Sequence, residues 1–550
     1  MLRPSSIPLA ILLATTCVAQ QDVIALRQAR QLEEQGEGLH SLSDIGEAER
    51  LWSEALEIRK RAFGDSSVEA AVGYAYQARY HNYMAAPQLE HRVMARQQAE
   101  RAKRALRAQS GNVAPSERII ILREYAYAYK VSEMSGSLDD QTRLARTRAF
   151  FREALRSAVD ARDTAMIAQI THDIGNTFTD EVGRYNQELP RSELQNLVDS
   201  GLWHYRRSIA LMTAAGKGDG ESVMMDHLTT ALIYRSAYGA DSARQAVASY
   251  DRALRTMLRN SGRASDVDPL IYEPRITNKA QMVELLYLRS LSLADPEAEH
   301  RGDARQVELA LHSLEAAVPY WEAMLREYKS LDLHKVIGSY SHFPFRYGTY
   351  LAAELFLLTG DSLRLRQAID WSERNRVGSD QRDLLRAGGS PRTNPTQARG
   401  LPSVPPSTVL IAFHDHPRLI AFATAGNTTH LIGPKSWIAT PHQINVWSKL
   451  LREAMNASDI RAYQRTAFAL YQTTIGPALL NGDVREVVIV PGERMGTIPF
   501  EALVTDTTPA VRWSELHYVQ DRWEVRYART MREALGPATV LPDLPMRFMV

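Results

Sequence analysis

The chain is 550 residues long, which is enough for two or three domains rather than one. Apolar residues make up 45% and charged residues 23%, an ordinary globular balance that excludes wholesale disorder. Lys and Arg total 65 against 64 Asp and Glu, and the net charge of +1 supplies no global field to draw in nucleic acid or an anionic membrane.

The first residues read MLRPSSIPLAILLATTCVAQQDV. Arg3 precedes an apolar stretch from Ile7 to Val18, and Cys17 and Ala19 place small residues where a signal peptidase reads. The layout predicts a signal peptide over residues 1–19, cleaved near Ala19, and hence export to a periplasmic or extracellular space. Two alternatives stay open. One is lipidation of Cys17, which Ala14 and Thr16 fit poorly, and the other is an uncleaved helix. Cys17 is the only cysteine, so a mature chain without the leader has no thiol. Disulfides, cysteine-ligated metals and cysteine nucleophiles are excluded from it.

From about Asp22 to Ala387 the pattern is helical, broken by short segments such as FGDSS, SGNVAPS, GKGDG and SGRASD. One spacing recurs in this region. Ala48, Trp52, Ala55 and Leu56 form the first copy, and Thr147, Phe151, Ala154 and Leu155 the second. Gly201, Tyr205, Ser208 and Ile209 form a third, and Ala246, Tyr250, Ala253 and Leu254 a fourth. On a helix these offsets share one face, so small residues let a neighbouring helix approach while the aromatic fills the groove between them. Stacked helix pairs require that arrangement. The copies resemble the tetratricopeptide repeat, with AERLWSEALEIRKRAFG and VEAAVGYAYQARY similar to its two helices and glycine turn. The copies lie farther apart than that family's period of ~34 residues, so insertions or degenerate repeats separate them, and an irregular helical bundle is the alternative. The repeat array is expected over residues 20–387, and a protein or peptide is its expected partner.

Residues 388–407, within RAGGSPRTNPTQARGLPSVPPS, read as a linker. Beyond it TVLIAFHDHPRLIAFATAGNTTHLIG predicts two or three antiparallel strands with turns at HDHP and AGNT. Two helices follow, over Pro441–Asn456 and Asp459–Ile475, then a strand over Val484–Val490, a loop over Pro491–Thr497 and a short apolar segment over Ile498–Val504. Val487 to Val490 has the unbroken apolar character of a strand buried on both faces. Pro499 and Phe500 are expected to fix a short extended segment and plug an aromatic against the sheet, and Glu501 to cap loop amides or pair with an arginine. A strand-like piece and short helix in HYVQDRWEVRYARTMREAL, and finally MRFMV, complete the order.

Taken together, residues 408–550 resemble the first half of the CHAT domain, a caspase-like domain that tetratricopeptide repeats usually precede. The resemblance rests on VLIAFHDHPRLIAFAT, LYQTTIGPALL, VVIVPGERMGTIPFEALV and YVQDRWEVRYARTMREAL, and on AIDWSERNRVGSDQRDLLRA (368–387) ahead of them. It implies a helical solenoid followed by the first part of a caspase-like α/β domain. It also implies a cysteine-peptidase dyad, a His after one core strand and a Cys after the next, because a thiolate attacks and the imidazole activates it. Both positions fall beyond the PFEAL box, and neither can be placed here, so no catalytic residue is assigned. The expected function is an exported interaction scaffold with an incomplete, catalytically incompetent caspase-like part. The alternative is the N-terminal portion of a secreted CHAT-family cysteine peptidase whose dyad lies beyond Val550.

Other candidates are weaker. His414 and His416 share a strand face but sit at an expected solvated turn without further ligands. The GKGDGES segment (216–222) lacks a phosphate loop's spacing and reads as a turn between helices. The basic helix over residues 91–107 reads first as a solvated face and only second as a patch for RNA or membrane. No cofactor or metal site is expected, nor nucleic acid, nor a membrane segment beyond the leader.

Overall fold

The computed structural model describes residues 7–39, 45–84, 89–108, 113–132, 140–237, 240–263, 268–276, 278–294, 303–327, 343–386, 404–415, 419–426, 428–432, 441–479, 483–492 and 494–535. Residues 1–6 of the expected leader fall outside them; the backbone from Ile7 is helical, and the side chains of residues 7–19 are not described. Most of the 388–407 linker and the final MRFMV also lie outside the described residues. The chain is mostly helical, with a small mixed sheet toward its C-terminus. It divides into two compact units, residues 1–292 and 293–550.

The first unit is a helical array. Its helices are α1 (Ile7–Gly38), α2 (Ile45–Phe63), α3 (Val68–Met84), α4 (Leu89–Ala108), α5 (Pro115–Ser132), α6 (Asp140–Asp160), α7 (Thr164–Tyr185), α8 (Arg191–Ala214), α9 (Glu221–Ser236), α10 (Ala240–Asn260) and α11 (Lys279–Leu293). From α1 to α10 each packs on the next, and α3 also meets α5 as α7 meets α9. The recurring motif forms the seams. Ala48, Trp52, Ala55 and Leu56 are all buried, as are Ala246, Tyr250, Ala253 and Leu254. A further copy lies on α4, where Gln98, Ala102, Ala105 and Leu106 hold the same offsets with Ala102 in the aromatic position. With it, the starts at Ala48, Gln98, Thr147, Gly201 and Ala246 are roughly 45–55 residues apart, longer than a ~34-residue repeat because each helix runs for several extra turns. The aromatic of a copy docks on a glycine: Trp52 lies against Gly36 of α1, and a Cβ built on Gly175 of α7 would come within 2.6 Å of the Tyr205 ring. Turns close the hairpins where expected. Gly64 after α2 has φ +88 and Gly216 after α8 has φ +74, left-handed values that favour glycine.

The second unit combines three helices with the sheet. Helices α12 (Ala304–Glu327), α13 (Phe343–Thr359) and α14 (Ser362–Arg386) are joined by edge-to-face rings, Trp321 on Phe345 at 4.9 Å and Phe345 on Trp371 at 5.7 Å. Strands β1 (Thr408–Asp415), β2 (Leu419–Ala425), β3 (Thr428–Ile432), β4 (Glu486–Val490) and β5 (Glu524–Tyr527) form one sheet in the order β3-β2-β1-β4-β5. β1, β2 and β3 are antiparallel, whereas β1 pairs with β4 and β4 with β5 in parallel. The β2–β3 turn has Gly426 at φ +58, as a two-residue hairpin loop demands. The chain crosses from β3 to β4 through α15 (Pro441–Asn456), α16 (Ile460–Thr473) and the single turn α17 (Gly476–Leu479). Asp459 caps α16 by accepting from the Ala462 N–H at 2.9 Å. One core binds these layers, with Ile411, Phe413, Val487, Ile489, Leu470 and Phe500 inside it. After β5 comes the short helix α18 (Met531–Leu535).

Candidate functional site

In the first unit the odd-numbered helices are joined by a line of polar contacts. Arg59, on α2, donates two hydrogen bonds of 2.8 Å to the two oxygens of Glu33 on α1. Arg30 of α1 reaches Glu117 of α5 at 3.0 Å. Arg79 of α3 donates to Glu37 at 2.5 Å and to Glu124 of α5 at 2.9 Å. Arg123 of α5 pairs with Asp173 of α7 at 2.6 Å, and the Tyr127 hydroxyl donates to the same carboxylate at 2.5 Å. His172 of α7 then contacts Asp226 of α9 at 2.8 Å. Helical spacing explains the line: the odd helices turn one polar edge toward each other while their apolar faces go to the even helices.

The electrostatics of this line follow from burial. Desolvation raises the carboxyl of Glu33, against the opposing pull of Arg59, and raises that of Asp226 against His172. Breaking one such pair by removing a single partner strands a buried charge and costs about 3–5 kcal/mol. The His172–Asp226 pair resembles half of a catalytic relay only on paper. The other ring nitrogen, Nε2, is met by the Asn176 amide at 3.0 Å, and Asn176 is held in turn by the Tyr205 hydroxyl at 3.0 Å, so no nucleophile faces the imidazole.

Tyr83 breaks the pattern. It stands near the end of α3 with 53% of its surface exposed. Desolvation nevertheless raises its phenol pKa, and Arg79, Glu124, Arg123 and Glu221 all bear on it. Its ring is half open to water while its phenol stands among the charges of α3, α5 and α9. Beside the polar line Tyr83 thus supplies an exposed aromatic with a polar tip, the combination found at recognition surfaces. Sequence reasoning missed Tyr83 because one tyrosine in a helical run carries no positional signal.

In the second unit the carboxyl ends of the parallel strands are the usual place for a site. Here the protein fills them itself. Arg376 of α14 donates to the Pro491 carbonyl at 2.9 Å and also to the Phe413 carbonyl. The Glu373 carboxylate accepts the Met531 N–H at 3.1 Å. His414 corrects the expectation of a solvated turn: it belongs to β1, is 4% exposed, and donates through Nε2 to the Arg346 carbonyl at 2.8 Å. Strand pairing continues through Asp415 and so carries His414 into the interior; His416 lies outside the described residues. Among the described residues no three His, Cys, Asp or Glu side chains gather to hold a metal ion. No described helix is long and apolar enough to cross a membrane.

The opening box of the sheet needs two further corrections. Pro499 is extended, but Phe500–Ala502 form a 3-10 turn rather than an extended segment. Phe500 is fully buried and stacks on Phe413 at 5.0 Å, so it does plug the sheet. Among the described residues Glu501 neither caps amides nor pairs with an arginine. It accepts from the Tyr527 hydroxyl, which itself accepts the Phe500 N–H at 3.0 Å. This pins the turn to β5, and burial together with the Glu501 carboxylate raises the Tyr527 phenol pKa. The 216–222 segment is a turn between helices, and residues 91–107 lie on one helix, α4, as expected.

No protein-family model and no curated protein matches the chain. Solved structures that match include a "Circular tandem repeat protein with novel repeat topology and enhanced subunit contact surfaces", at a TM-score of 0.22 and 14% identity, covering 85% of this chain and 97% of that one.

Proposed function

We propose that this chain is an exported protein-interaction scaffold. Its helical array holds a polypeptide at the surface marked by Tyr83, and residues 408–550 are the first part of a CHAT-like, caspase-like domain without a catalytic dyad. The single observation that carries the binding role is Tyr83, half exposed beside the internally paired charges of Arg79, Glu124 and Arg123. Because those charges are already neutralised, they orient a ligand's polar backbone without demanding a charged partner. The caspase-like reading is supported by the order of elements, an antiparallel hairpin, two helices and then parallel strands around Phe500. The leader-like order of Arg3, an apolar stretch and small residues up to Ala19 supports export.

Peptide display against the intact chain tests this surface. Selected sequences should bind, and Tyr83→Ala should weaken them about tenfold or more, as loss of a recognition aromatic does. Selected peptides indifferent to Tyr83→Ala would remove this surface from consideration.

A second reading is favoured by the burial of Val487, Ile489, Met495, Ile498 and Phe500 in one core, which a domain without function has no need to keep. In it the chain is the N-terminal portion of a secreted cysteine peptidase whose His and Cys lie beyond Val550. The intact mass of the exported protein, read beside the reading frame past Val550, separates the two.

A further inference from the structure

The even-numbered helices carry a second feature that the Tyr83 surface does not use. Aligning the repeat copies on their starting residues brings basic side chains into one register, five or six positions on. Those positions hold Lys103 and Arg104 on α4, Arg152 and Glu153 on α6, Arg206 and Arg207 on α8, and Asp251 and Arg252 on α10; Glu153 pairs with Lys103 and Asp251 with Arg289, which leaves five arginines. All five are exposed, and none has a carboxylate partner among the described residues. The first copy reverses the pattern: on α2 the same positions hold Ser53 and Glu54. The band is therefore local to four successive repeats.

Contacts link α4 to α6 and bring α6 and α8 together at His204. Lys103 of α4 reaches Glu153 of α6 at 3.3 Å, and its ammonium lies 4.4 Å from the Phe150 ring centre. Arg152 of α6 and Arg207 of α8 both bear on His204, and Arg252 of α10 bears on His227 of α9. Near the middle stands Trp203, 53% exposed with Arg207 stacked 5.2 Å from its ring centre. The chain as a whole is almost neutral, so this is a segregation of charge rather than an excess. Exposed guanidinium groups held in a row repel one another, and a polyanion laid along them relieves that repulsion.

We propose that this band binds an acidic polypeptide segment laid across α4, α6, α8 and α10. An extended chain advances ~3.3 Å per residue, so it can place carboxylates on one side at intervals of ~7–10 Å and offer several of them to the band. Arginine suits this role because its fork pairs both oxygens of a carboxylate. A nucleic acid fits less well. Base stacking needs a series of open aromatic faces, whereas the single aromatic exposed in the band, Trp203, is already covered by Arg207. A lipid surface also fits less well, since the other large apolar side chains exposed on α4 and α6, Val93, Met94 and Val159, lie toward the helix ends and not in the band.

The test uses the full chain and a labelled peptide of about 20 residues with Glu at every third position, followed by fluorescence anisotropy. Saturable binding is expected at about 50 mM salt, weakening about tenfold or more by about 300 mM, as screened ion pairs do. The triple variant Arg152→Glu, Arg206→Glu, Arg252→Glu should lose at least about 30-fold while its far-UV circular dichroism stays unchanged. Should that variant misfold, Arg152→Gln, Arg206→Gln, Arg252→Gln should still lose about tenfold. Tyr83→Ala should bind the acidic peptide as the wild type does, which keeps this proposal separable from the Tyr83 surface. Absence of saturable binding overturns it, and so does a triple variant that binds normally. Loss of binding in Tyr83→Ala, or tighter binding of an oligothymidylate or of anionic vesicles, overturns it as well.

Discussion

At the scale of single residues, the electrostatics are set by burial more than by charge count. His204 of α8 stacks on Phe178 and meets Trp203 edge-on, and its pKa is lowered to about 4, first by burial and then by Arg152, Arg207 and Arg148. An imidazole with a folded pKa below its unfolded value of about 6.5 takes up its proton more readily in the unfolded chain. Its contribution to stability is therefore whole above pH about 6.5 and falls away as the pH drops toward about 4. His204→Phe keeps a ring and removes the titration. The difference in Tm between wild type and variant should stay constant above pH about 6.5, then move against the wild type down to pH about 4. A shift of roughly 2–4 °C for each kcal/mol is the scale to look for. A difference that stays flat across that range refutes the assignment. None of this was legible beforehand, because a histidine in a helical run looks the same buried or exposed.

At the scale of elements, helices pair where a small residue meets a large one. Gly175 of α7 receives the Tyr205 ring of α8, and the added methyl of Gly175→Ala would stand 2.6 Å from a ring carbon. The neighbour must give way, so the substitution should cost about 1–3 kcal/mol in spite of alanine's better helix propensity. Urea unfolding measures it, and a stabilised variant would show that α7 and α8 are less tightly seated. This seam was partly readable: the small–aromatic–small spacing at Gly201, Tyr205 and Ser208 marked the α8 face, and that face is buried. The copy at Gln98 was not readable, because Ala102 occupies its aromatic position. The 3-10 turn at Phe500–Ala502 was equally hidden. Pro499 suggested extension, and only the Tyr527 hydroxyl on the Phe500 amide fixes the turn.

At the scale of the whole molecule, the compact units meet the sequence at Ser292–Leu293. The sheet in the second unit relies on α14, whose Arg376 holds the Phe413 and Pro491 carbonyls and whose Glu373 holds the Met531 amide. Hydrogen bonds to charged groups contribute about 1.5–3 kcal/mol each. A fragment of residues 293–550 should therefore unfold cooperatively, whereas residues 404–550 should be less stable by on the order of 3 kcal/mol or more, or fail to fold. Circular dichroism melts and limited proteolysis compare them. Equal stability would mean that α12–α14 add nothing to the core of that unit.

The sequence by itself determined the helical array, the order of strands and helices after residue 404, the buried β4 and the glycine turns. Each follows from local periodicity or backbone sterics, which the chain carries residue by residue. Tertiary structure alone decided that His414 is internal, that Glu501 pairs with Tyr527 and that Tyr83 stands half exposed beside paired charges. Those facts depend on which residues meet across dozens of positions, and neither burial nor long-range electrostatics is written in any short stretch of chain.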